Sequence, residues 1–468
     1  MGVPQEITEA ALAASTADGC IVIASEHTET NLRWAANSLT TNGQMRSRSL
    51  TVISTFDRAD GTRAGVVTRS ISTLEEVDDL VRASETAGRD ADPADDACPL
   101  VAPYPHDDDW DADPAETSVA VFEQFAPALG AAFTRWSSTE RLLYGFAEHQ
   151  MTSYFLGTST GLRRRFDQPD GRLEVNGKSA DLARSAWSGL HTRDFTDVDV
   201  ATVTAALEQR LDWAKTRIDL PAGRYETILP PSAVADLMIY AYWTASARDA
   251  EEGRNVYAAS GGGTRIGEKL APQPLTLRSD PAEPGLQCPP FEIAAASYGG
   301  LQSVFDNGFP VDATSWISDG TLTDLIRTRS WAERTHTTPR PYVDNLILSG
   351  GAGGAGGAGG ASLEEMIAGT ERGLLLTCLW YIREVDPQTL LLTGLTRDGV
   401  YLVENGEVQG AVNNFRFNES PIDLLGRTTQ VGRTEPTLSR EWSDDFRRTA
   451  MPPLRVPDFN MSTVSQAS

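Results

Sequence analysis

Histidine and cysteine are the side chains that define zinc motifs, and their spacing in this sequence forms no such motif. They are His27, His106, His149, His191 and His336, with Cys20, Cys98, Cys288 and Cys378. Glu148 precedes His149, but no second histidine follows four or five residues later, as a zinc-peptidase helix requires. No two cysteines have CxxC spacing. Cys288 is the best candidate for an accessible thiol, and a lone loop cysteine is usually inert.

Two short polar sets could instead contact a substrate. The stretch "AVNNFRF" places Asn413, Asn414 and Arg416 in a strand pattern. Their side chains could hold the backbone of an extended peptide, as in strand addition. Turn formation or a subunit contact would explain the same residues. In "SVFDNG", Asp306 and Asn307 favour a structural turn.

The charge of the chain bears on its partners. The formal net charge is −25, and much of it lies in the acidic stretch 89–116. This stretch is either a solvated loop or an acidic docking surface. Phosphate binding needs clustered lysine and arginine, and the run 163–165 is too short to supply a basic surface. We therefore expect no nucleic-acid partner.

The elements that must position these residues can be read from apolar periodicity. Strands are predicted over 20–25, 31–40, 49–56 and 64–71. Helices are predicted over 5–15, 73–88, 116–136 and 197–217. A hairpin turn is predicted at 159–161, and the three arginines that follow should alternate between the two faces of a strand. We expect a strand-rich first half with flanking helices.

The second half begins with an apolar helix that Ser232 can cap and Gly253 can end. Many short strands follow, so the predicted fold class is α+β, with an N-terminal α/β domain (1–220) and a C-terminal β-rich domain (221–468). The glycine-alanine run at 349–362 is of low complexity and is predicted to be a mobile loop.

Four groups of segments, in a fixed order, resemble one protein family. They are "LGTSTGLRRRFDQPDGRLEVNGKSAD"; "LTLRSDPAEPGL" with "SVFDNGFP" and "WISDGTLTDLI"; the long segment 361–426; and "MPPLRVPDFNMS". Their order and spacing resemble the TldD/PmbA family of peptidase-related proteins along nearly the whole chain.

The resemblance implies an N-terminal α/β domain, a strand-rich C-terminal domain and two paralogous subunits. One subunit carries an HExxxH zinc motif on the first helix of the C-terminal domain, and a cysteine ligand near its C-terminus. The other subunit lacks both and pairs with the first. The assembly is implied to take unfolded peptides into an inner chamber and to cleave them, and some members act in peptide maturation.

Alignment with the family motif places the two histidine positions on Ile239 and Thr244, and the glutamate position on Tyr240. Isoleucine and threonine are not strong zinc ligands, and tyrosine is a poor replacement for a carboxylate that accepts a proton from metal-bound water. The last cysteine, Cys378, lies well before the expected ligand position. We therefore expect no zinc in this chain. Tyr240 or Trp243 could line a peptide channel, or the helix could simply pack in the core.

The sequence predicts a non-catalytic, metal-free subunit of a TldD/TldE-like zinc metallopeptidase that processes unfolded peptides. Its expected partner is an HExxxH-bearing, TldD-like paralogue that holds the zinc. Two alternatives stay open: a homo-oligomeric peptide-binding scaffold with no hydrolytic partner, and a metal-free peptide-modifying enzyme. No signal peptide and no apolar run of membrane-spanning length is visible, so we expect a cytoplasmic protein with no membrane partner.

Overall fold

The computed structural model describes residues 3–71, 73, 75–105, 109–350, 360–397 and 399–465. His106 and most of the predicted glycine-alanine loop, 351–359, lie outside the described residues. Within the described ranges, the fold consists of a six-stranded sheet in the first half of the chain, two further sheets in the second half, and helices packed against all three.

The first half is built around an antiparallel sheet with the spatial order β3-β2-β1-β4-β5-β6. Its strands are β1 (Gly19–Ala35), β2 (Ser38–Arg58), β3 (Gly61–Ser70), β4 (Arg141–Thr158), β5 (Arg163–Ser179) and β6 (Ser185–Thr192). The predicted turn at 159–161 joins β4 to β5, and Gly161 has the positive φ of 98° that such a turn favours. The hairpin prediction is thereby confirmed.

The prediction of separate strands over 20–25 and 31–40 is wrong. β1 runs without interruption for 17 residues, because it pairs with β2 on one side and with β4 on the other along nearly its whole length. The chain turns instead at Ala36 and Asn37, whose φ values of 50° and 61° are those of a type I′ hairpin turn.

Helices cover one face of this sheet. They are α1 (Pro4–Ala14), α2 (Glu75–Asp90), α3 (Phe125–Ser137) and α4 (Val200–Trp213), with a 3₁₀ turn at Val119–Phe122. The predicted helix over 116–136 is thus divided, because Pro127 has no N–H and is tolerated only near the start of a helix. Among the described helices of the whole chain, none has the length and apolarity needed to cross a membrane.

The opposite face of the sheet packs against the second half of the chain. Ile21 and Ile23 of β1 point to this face and join a buried cluster with Phe291 and Phe305. Cys20 and the other alternate residues of β1 pack under α1 and α2. Both faces of the first sheet are therefore buried, and polar side chains on the face toward the second half are shielded from water.

The second half contains two sheets. A six-stranded sheet has the order β11-β10-β9-β12-β21-β20, and a longer path runs β14-β15-β18-β22-β8-β13-β16-β17-β7, with β19 on β22. The strands are β7 (Arg217–Ile218), β8 (Gly223–Leu229), β9 (Leu275–Ser279), β10 (Thr314–Ser318), β11 (Thr321–Leu322), β12 (Leu346–Gly350), β13 (Arg372–Leu376), β14 (Leu379–Asp386), β15 (Leu391–Thr396), β16 (Val400–Glu404), β17 (Glu407–Val412), β18 (Phe415–Glu419), β19 (Gln430–Val431), β20 (Glu435–Thr437), β21 (Thr449–Met451) and β22 (Leu454–Val464).

The helices of the second half are short. They are α5 (Pro231–Trp243), α6 (Ala247–Glu251), α7 (Arg329–Thr335), α8 (Leu363–Ala368) and α9 (Pro421–Arg427), with a 3₁₀ turn at Val304–Asp306. Strand-rich sheets with segregated helices confirm the predicted α+β class. The boundary at 220 stays a prediction; β7 ends two residues before it and already pairs with β17 of the second half.

The predicted apolar helix is shorter than expected and begins two residues earlier. α5 starts at Pro231, so Ser232 is not its N-cap, and proline suits a first helical position because the missing N–H has no partner there. The helix ends at Trp243, far before Gly253. The hydroxyl of Thr244 donates to the carbonyl of Ala241 at 3.0 Å, and Asn255 donates to the Thr244 carbonyl at 2.8 Å. These bonds satisfy carbonyls that a longer helix would have used.

Candidate functional site

Helix α5 carries the positions that align with the zinc motif, and the structure gives each a different environment. Ile239 is fully buried in the large core of the second half. Tyr240 is half-buried, with its ring 5.6 Å from that of Trp442. Thr244 ends the helix with its hydroxyl bonded to backbone carbonyls. An apolar side chain, a phenol and an occupied hydroxyl do not fit a zinc ion.

The one carboxylate on α5 is also unsuited to a metal. Asp236 is fully buried, and its Oδ1 accepts the backbone N–H of Glu441 at 2.8 Å. Its Oδ2 has no hydrogen-bond partner among the described residues. Burial raises the pKa of Asp236 well above its usual value, and its hydrogen bond to Glu441 holds the segment 438–448 against α5. Across the described part of the chain, no three His, Cys, Asp or Glu side chains are grouped so that they could hold a metal ion.

A cluster of aromatic rings joins α5 to the segment 438–448. Trp243 lies 5.2 Å from Trp442 in an edge-to-face arrangement, which is favourable for aromatic pairs. Trp442 also donates from its indole nitrogen to the backbone carbonyl of Asp236 at 2.9 Å. Tyr242 stacks on Tyr342 at 5.1 Å. Because Tyr240 and Trp243 are only half-buried, they are the aromatic side chains of α5 that can contact a ligand.

Next to this cluster, a cavity of about 310 Å³ lies between the two halves of the chain. Tyr154 and Gln168 come from β4 and β5 of the first half. The other lining residues belong to the second half: Pro289, Phe291, Glu292, Ile293, Gln302, Tyr342, Asp344, Asp445 and Arg448. Trp243 reaches this wall, since its indole nitrogen donates to the Tyr342 hydroxyl at 3.3 Å. Trp243 of α5 is thus hydrogen-bonded to the wall of the cavity.

Glu292 is the most unusual group of this cavity. Its side chain is 3% exposed, and its Oε1 accepts a hydrogen bond from Gln302 at 2.8 Å. Among the described residues, no partner is present for Oε2. Burial, and to a lesser degree the nearby carboxylate of Asp306, raises the pKa of Glu292 to about 8. The group is therefore mostly protonated at neutral pH.

Arg448 connects the cavity to the first half of the chain. Its guanidinium bonds to the carboxylates of Asp170 on β5 and Asp344 before β12. Burial alone would raise the pKa of Asp170, but Arg448, His191 and Arg447 hold it below its usual value. The pKa of His191 itself is lowered by burial to about 4. Neutral His191 and the ion pairs around Asp170 thus form a buried polar contact between the two halves.

The structure does not bring Asn413, Asn414 and Arg416 to this site. Asn413 and Asn414 are not within a strand, as the sequence pattern predicted, but form the connection from β17 to β18. Asn413 accepts the backbone N–H of Leu220 at 2.7 Å, and Asn414 accepts from the Thr396 hydroxyl at 3.3 Å. These are structural contacts, as expected of turn-forming amides. Arg416 is exposed and donates to Thr393.

Other sequence expectations are corrected by burial. Cys288 is not accessible: it is 1% exposed, and burial raises the pKa of its thiol to about 12. Arg164 is buried: β5 lies between two neighbouring strands, and the guanidinium sits 4.4 Å from the centre of the Phe291 ring. The expected turn at Asp306 and Asn307 is confirmed, with the Asn307 amide bonded to the backbone of Ala294.

Sequence reasoning missed Glu292, Tyr342, Asp344 and Arg448. One signal was available for Glu292, since it stands between Phe291 and Ile293 in an apolar run. A charged residue at such a position is either on the solvent face of a strand or buried for a reason. The other three lie in different segments, and only folding brings them together.

The second half of the chain matches a known protein family. Residues 222–463, which are 242 of the 468 residues, match the PmbA/TldA metallopeptidase C-terminal domain. The fold is similar to that of TldE from Thermococcus kodakarensis, with 15% identity, 97% of this chain and 99% of that chain covered, and a TM-score of 0.77. No match was found among curated proteins.

Two further solved structures share the fold, and both are described as candidate modulators of DNA gyrase. The Thermotoga maritima protein has 15% identity and a TM-score of 0.72, with 97% of this chain and 99% of that chain covered. The Bacteroides thetaiotaomicron protein has 13% identity and a TM-score of 0.73, with 98% of each chain covered. At these identities the likeness concerns the fold.

Proposed function

Because the chain belongs to the PmbA/TldD family of metallopeptidase-related proteins, we propose that it is the metal-free subunit of a cytoplasmic peptidase complex that processes unfolded peptides. The observation that carries this proposal is the environment of Ile239, Tyr240 and Thr244 on α5. A core side chain, a ring packed on Trp442 and a helix-ending hydroxyl occupy the places of two histidines and a glutamate. In this proposal α5 packs in the core of the second half and binds no metal.

The proposed work of the chain is to complete a peptide chamber beside a catalytic partner. The half-buried rings of Tyr240 and Trp243 supply an apolar surface for side chains of an extended peptide. Aromatic surfaces of this kind bind with little loss of side-chain entropy, because they have few rotatable bonds. The partner is a paralogue that carries the HExxxH motif, and zinc belongs to that subunit.

The first test is purification of the protein from its native host, with the co-purifying proteins identified and zinc measured. We expect an HExxxH-bearing paralogue in equal amount, with about one zinc ion per pair, as a three-ligand catalytic site requires. Zinc bound to this chain purified alone would contradict the proposal. A metal-free chain without a partner would favour the homo-oligomeric scaffold.

A second test measures peptide cleavage by the reconstituted pair. Tyr240→Ala and Trp243→Ala should lower cleavage of an unfolded peptide while leaving the pair intact by size-exclusion chromatography. Tyr225→Ala is the matched control, because Tyr225 is a half-buried aromatic of β8 whose hydroxyl bonds to the Pro221 carbonyl. If Tyr240→Ala and Trp243→Ala cleave the peptide as fast as Tyr225→Ala does, α5 does not contribute to the peptide-binding surface.

A further inference from the structure

Two side-chain oxygens in the wall of the cavity between the halves have no hydrogen-bond partner among the described residues. Gln168 is 7% exposed and uses its amide nitrogen on the carbonyls of Pro169 and Gln287. Its Oε1 has no partner among the described residues, and neither has Oε2 of Glu292. Buried polar atoms without partners are rare in folded proteins and call for an explanation. Two such oxygens at one cavity, one of an amide and one of a carboxyl, point to a ligand that donates hydrogen bonds once the carboxyl has lost its proton.

The charges of the cavity favour a cation. Glu292, Asp344 and Asp445 line it, with Asp445 exposed at the rim. Arg448 is the basic residue of the lining, but its guanidinium is already bonded to the carboxylates of Asp170 and Asp344 and to the Asp344 carbonyl. No salt bridge to Glu292 is present in the described parts of the chain. An anion would meet the carboxylate of Asp445 at the rim and a guanidinium already bonded to carboxylates, whereas a cation would meet oxygen acceptors.

Size and donor number narrow the class of cation. At about 310 Å³, the cavity is at the small end of ligand sites, which range from about 300 to 1,000 Å³. Calcium takes six to eight oxygen ligands, and the described residues present no group of three acidic or other metal-binding side chains. An organic ammonium group has three N–H donors and a compact charge, which suits a few acceptors in a small space.

We propose that this cavity binds an organic ammonium group, with the carboxylate of Glu292 as its counter-ion and the Gln168 carbonyl as a second acceptor. The source of the ammonium group follows from the function proposed above and is the free N-terminus of a peptide. The amine site itself does not depend on that function.

Binding is coupled to loss of a proton from Glu292. In the empty cavity the buried carboxyl is mostly neutral at pH 7, because its pKa is about 8. A bound R–NH₃⁺ stabilises the carboxylate, so the carboxyl proton leaves to solvent and a charge-assisted hydrogen bond forms. The net change is the uptake of one cation and the release of one proton. Tyr154 and Gln302 line the same space and can orient the ligand.

The test is isothermal titration of the full chain, without a partner or zinc, with the tripeptide Ala-Ala-Ala-amide at pH 7. Repeating the titration in buffers of different ionisation enthalpy counts the protons released. We expect binding of the free-amine peptide, release of close to one proton, and binding at least about tenfold weaker for its N-acetylated form. N-acetyl-lysine amide is the third probe. If it binds, the site accepts any primary ammonium group and is not specific for a peptide N-terminus.

Glu292→Gln keeps the size of the side chain and can still accept from Gln302. This variant should bind the free amine at least about tenfold more weakly and release no proton. Glu407→Gln is the control, because Glu407 is an exposed carboxylate at the start of β17, away from the cavity. Equal binding of acetylated and free peptide, no binding of any amine, or an unchanged Glu292→Gln variant would overturn the proposal. None of these results depends on whether a peptidase partner exists.

Discussion

The hydroxyl of Tyr242 on α5 exchanges two hydrogen bonds with the backbone of Val343. It donates to the Val343 carbonyl at 3.0 Å and accepts the Val343 N–H at 2.8 Å. All of these atoms are buried, so water cannot replace either partner. Val343 stands between Tyr342 and Asp344 of the cavity, and Tyr242 therefore fixes the position of the cavity wall relative to α5.

Removal of this hydroxyl should destabilise the protein. Tyr242→Phe leaves a buried N–H and a buried carbonyl without partners, and we expect the free energy of unfolding to fall by about 1–3 kcal/mol. Denaturant unfolding followed by circular dichroism measures the change. Tyr225→Phe removes a more exposed hydroxyl that bonds to Pro221 and should change stability by less than about 1 kcal/mol. Similar losses in both variants would contradict the role assigned to Tyr242.

The two histidine positions of the zinc motif should respond differently to the restored residue. Ile239→His puts an imidazole into an apolar core where Ile239 is fully buried, and should lower the free energy of unfolding by about 2–4 kcal/mol. Thr244→His changes a half-buried residue at the end of α5, where a cation is favourable, and should cost less than about 1 kcal/mol. Thermal unfolding of both variants makes the comparison. A stable Ile239→His protein would contradict the apolar environment assigned to this position.

The ion pairs of Arg448 should matter more than those at the surface. Arg448→Met leaves the carboxylates of Asp170 and Asp344 without their shared cation in a buried contact, and we expect a loss of about 3–5 kcal/mol. The matched variant Arg372→Met breaks an exposed pair with Glu404 and should cost about 0–1 kcal/mol. Chemical denaturation measures both. Equal effects would mean that the two halves do not depend on this contact.

Glu292 should make stability depend on pH above neutrality. Its folded pKa of about 8 lies above the unfolded value of 4.5, so the folded state holds an extra proton between these values. Stability therefore falls as pH rises through this window. Between pH 6.5 and 8 we expect a loss of about 1–2 kcal/mol that is absent in Glu292→Gln.

The comparison with Glu292→Gln separates this effect from other titrations. His191 has a folded pKa of about 4, below its unfolded value, so its contribution rises with pH and is complete by about pH 6.5. The groups that face Glu292 are Asp306, Tyr242 and Tyr342, and burial raises the pKa of each of the three. If the wild type and the variant lose equal stability, Glu292 is not the titrating group.

Much of the fold could be predicted from the sequence because local signals agreed with the tertiary structure. The hairpin turn at Gly161 follows from residue type and spacing. The predictions that failed, such as the break in β1, failed where polar residues alternate within a strand. In β1, pairing with a strand on each side overrides the appearance of a loop.

One part of the candidate site could be read from the sequence, and the other part depends on the tertiary structure. The resemblance read from the sequence aligns a zinc motif with Ile239, Tyr240 and Thr244, and residue identity alone decides that none of the three is a strong zinc ligand. The sequence did not determine the cavity, since Gln168, Glu292 and Arg448 lie on segments far apart in the chain. Only the packing of the first sheet against the second half withdraws Glu292 from water, and that loss of solvation gives its carboxyl a raised pKa and an unfilled acceptor.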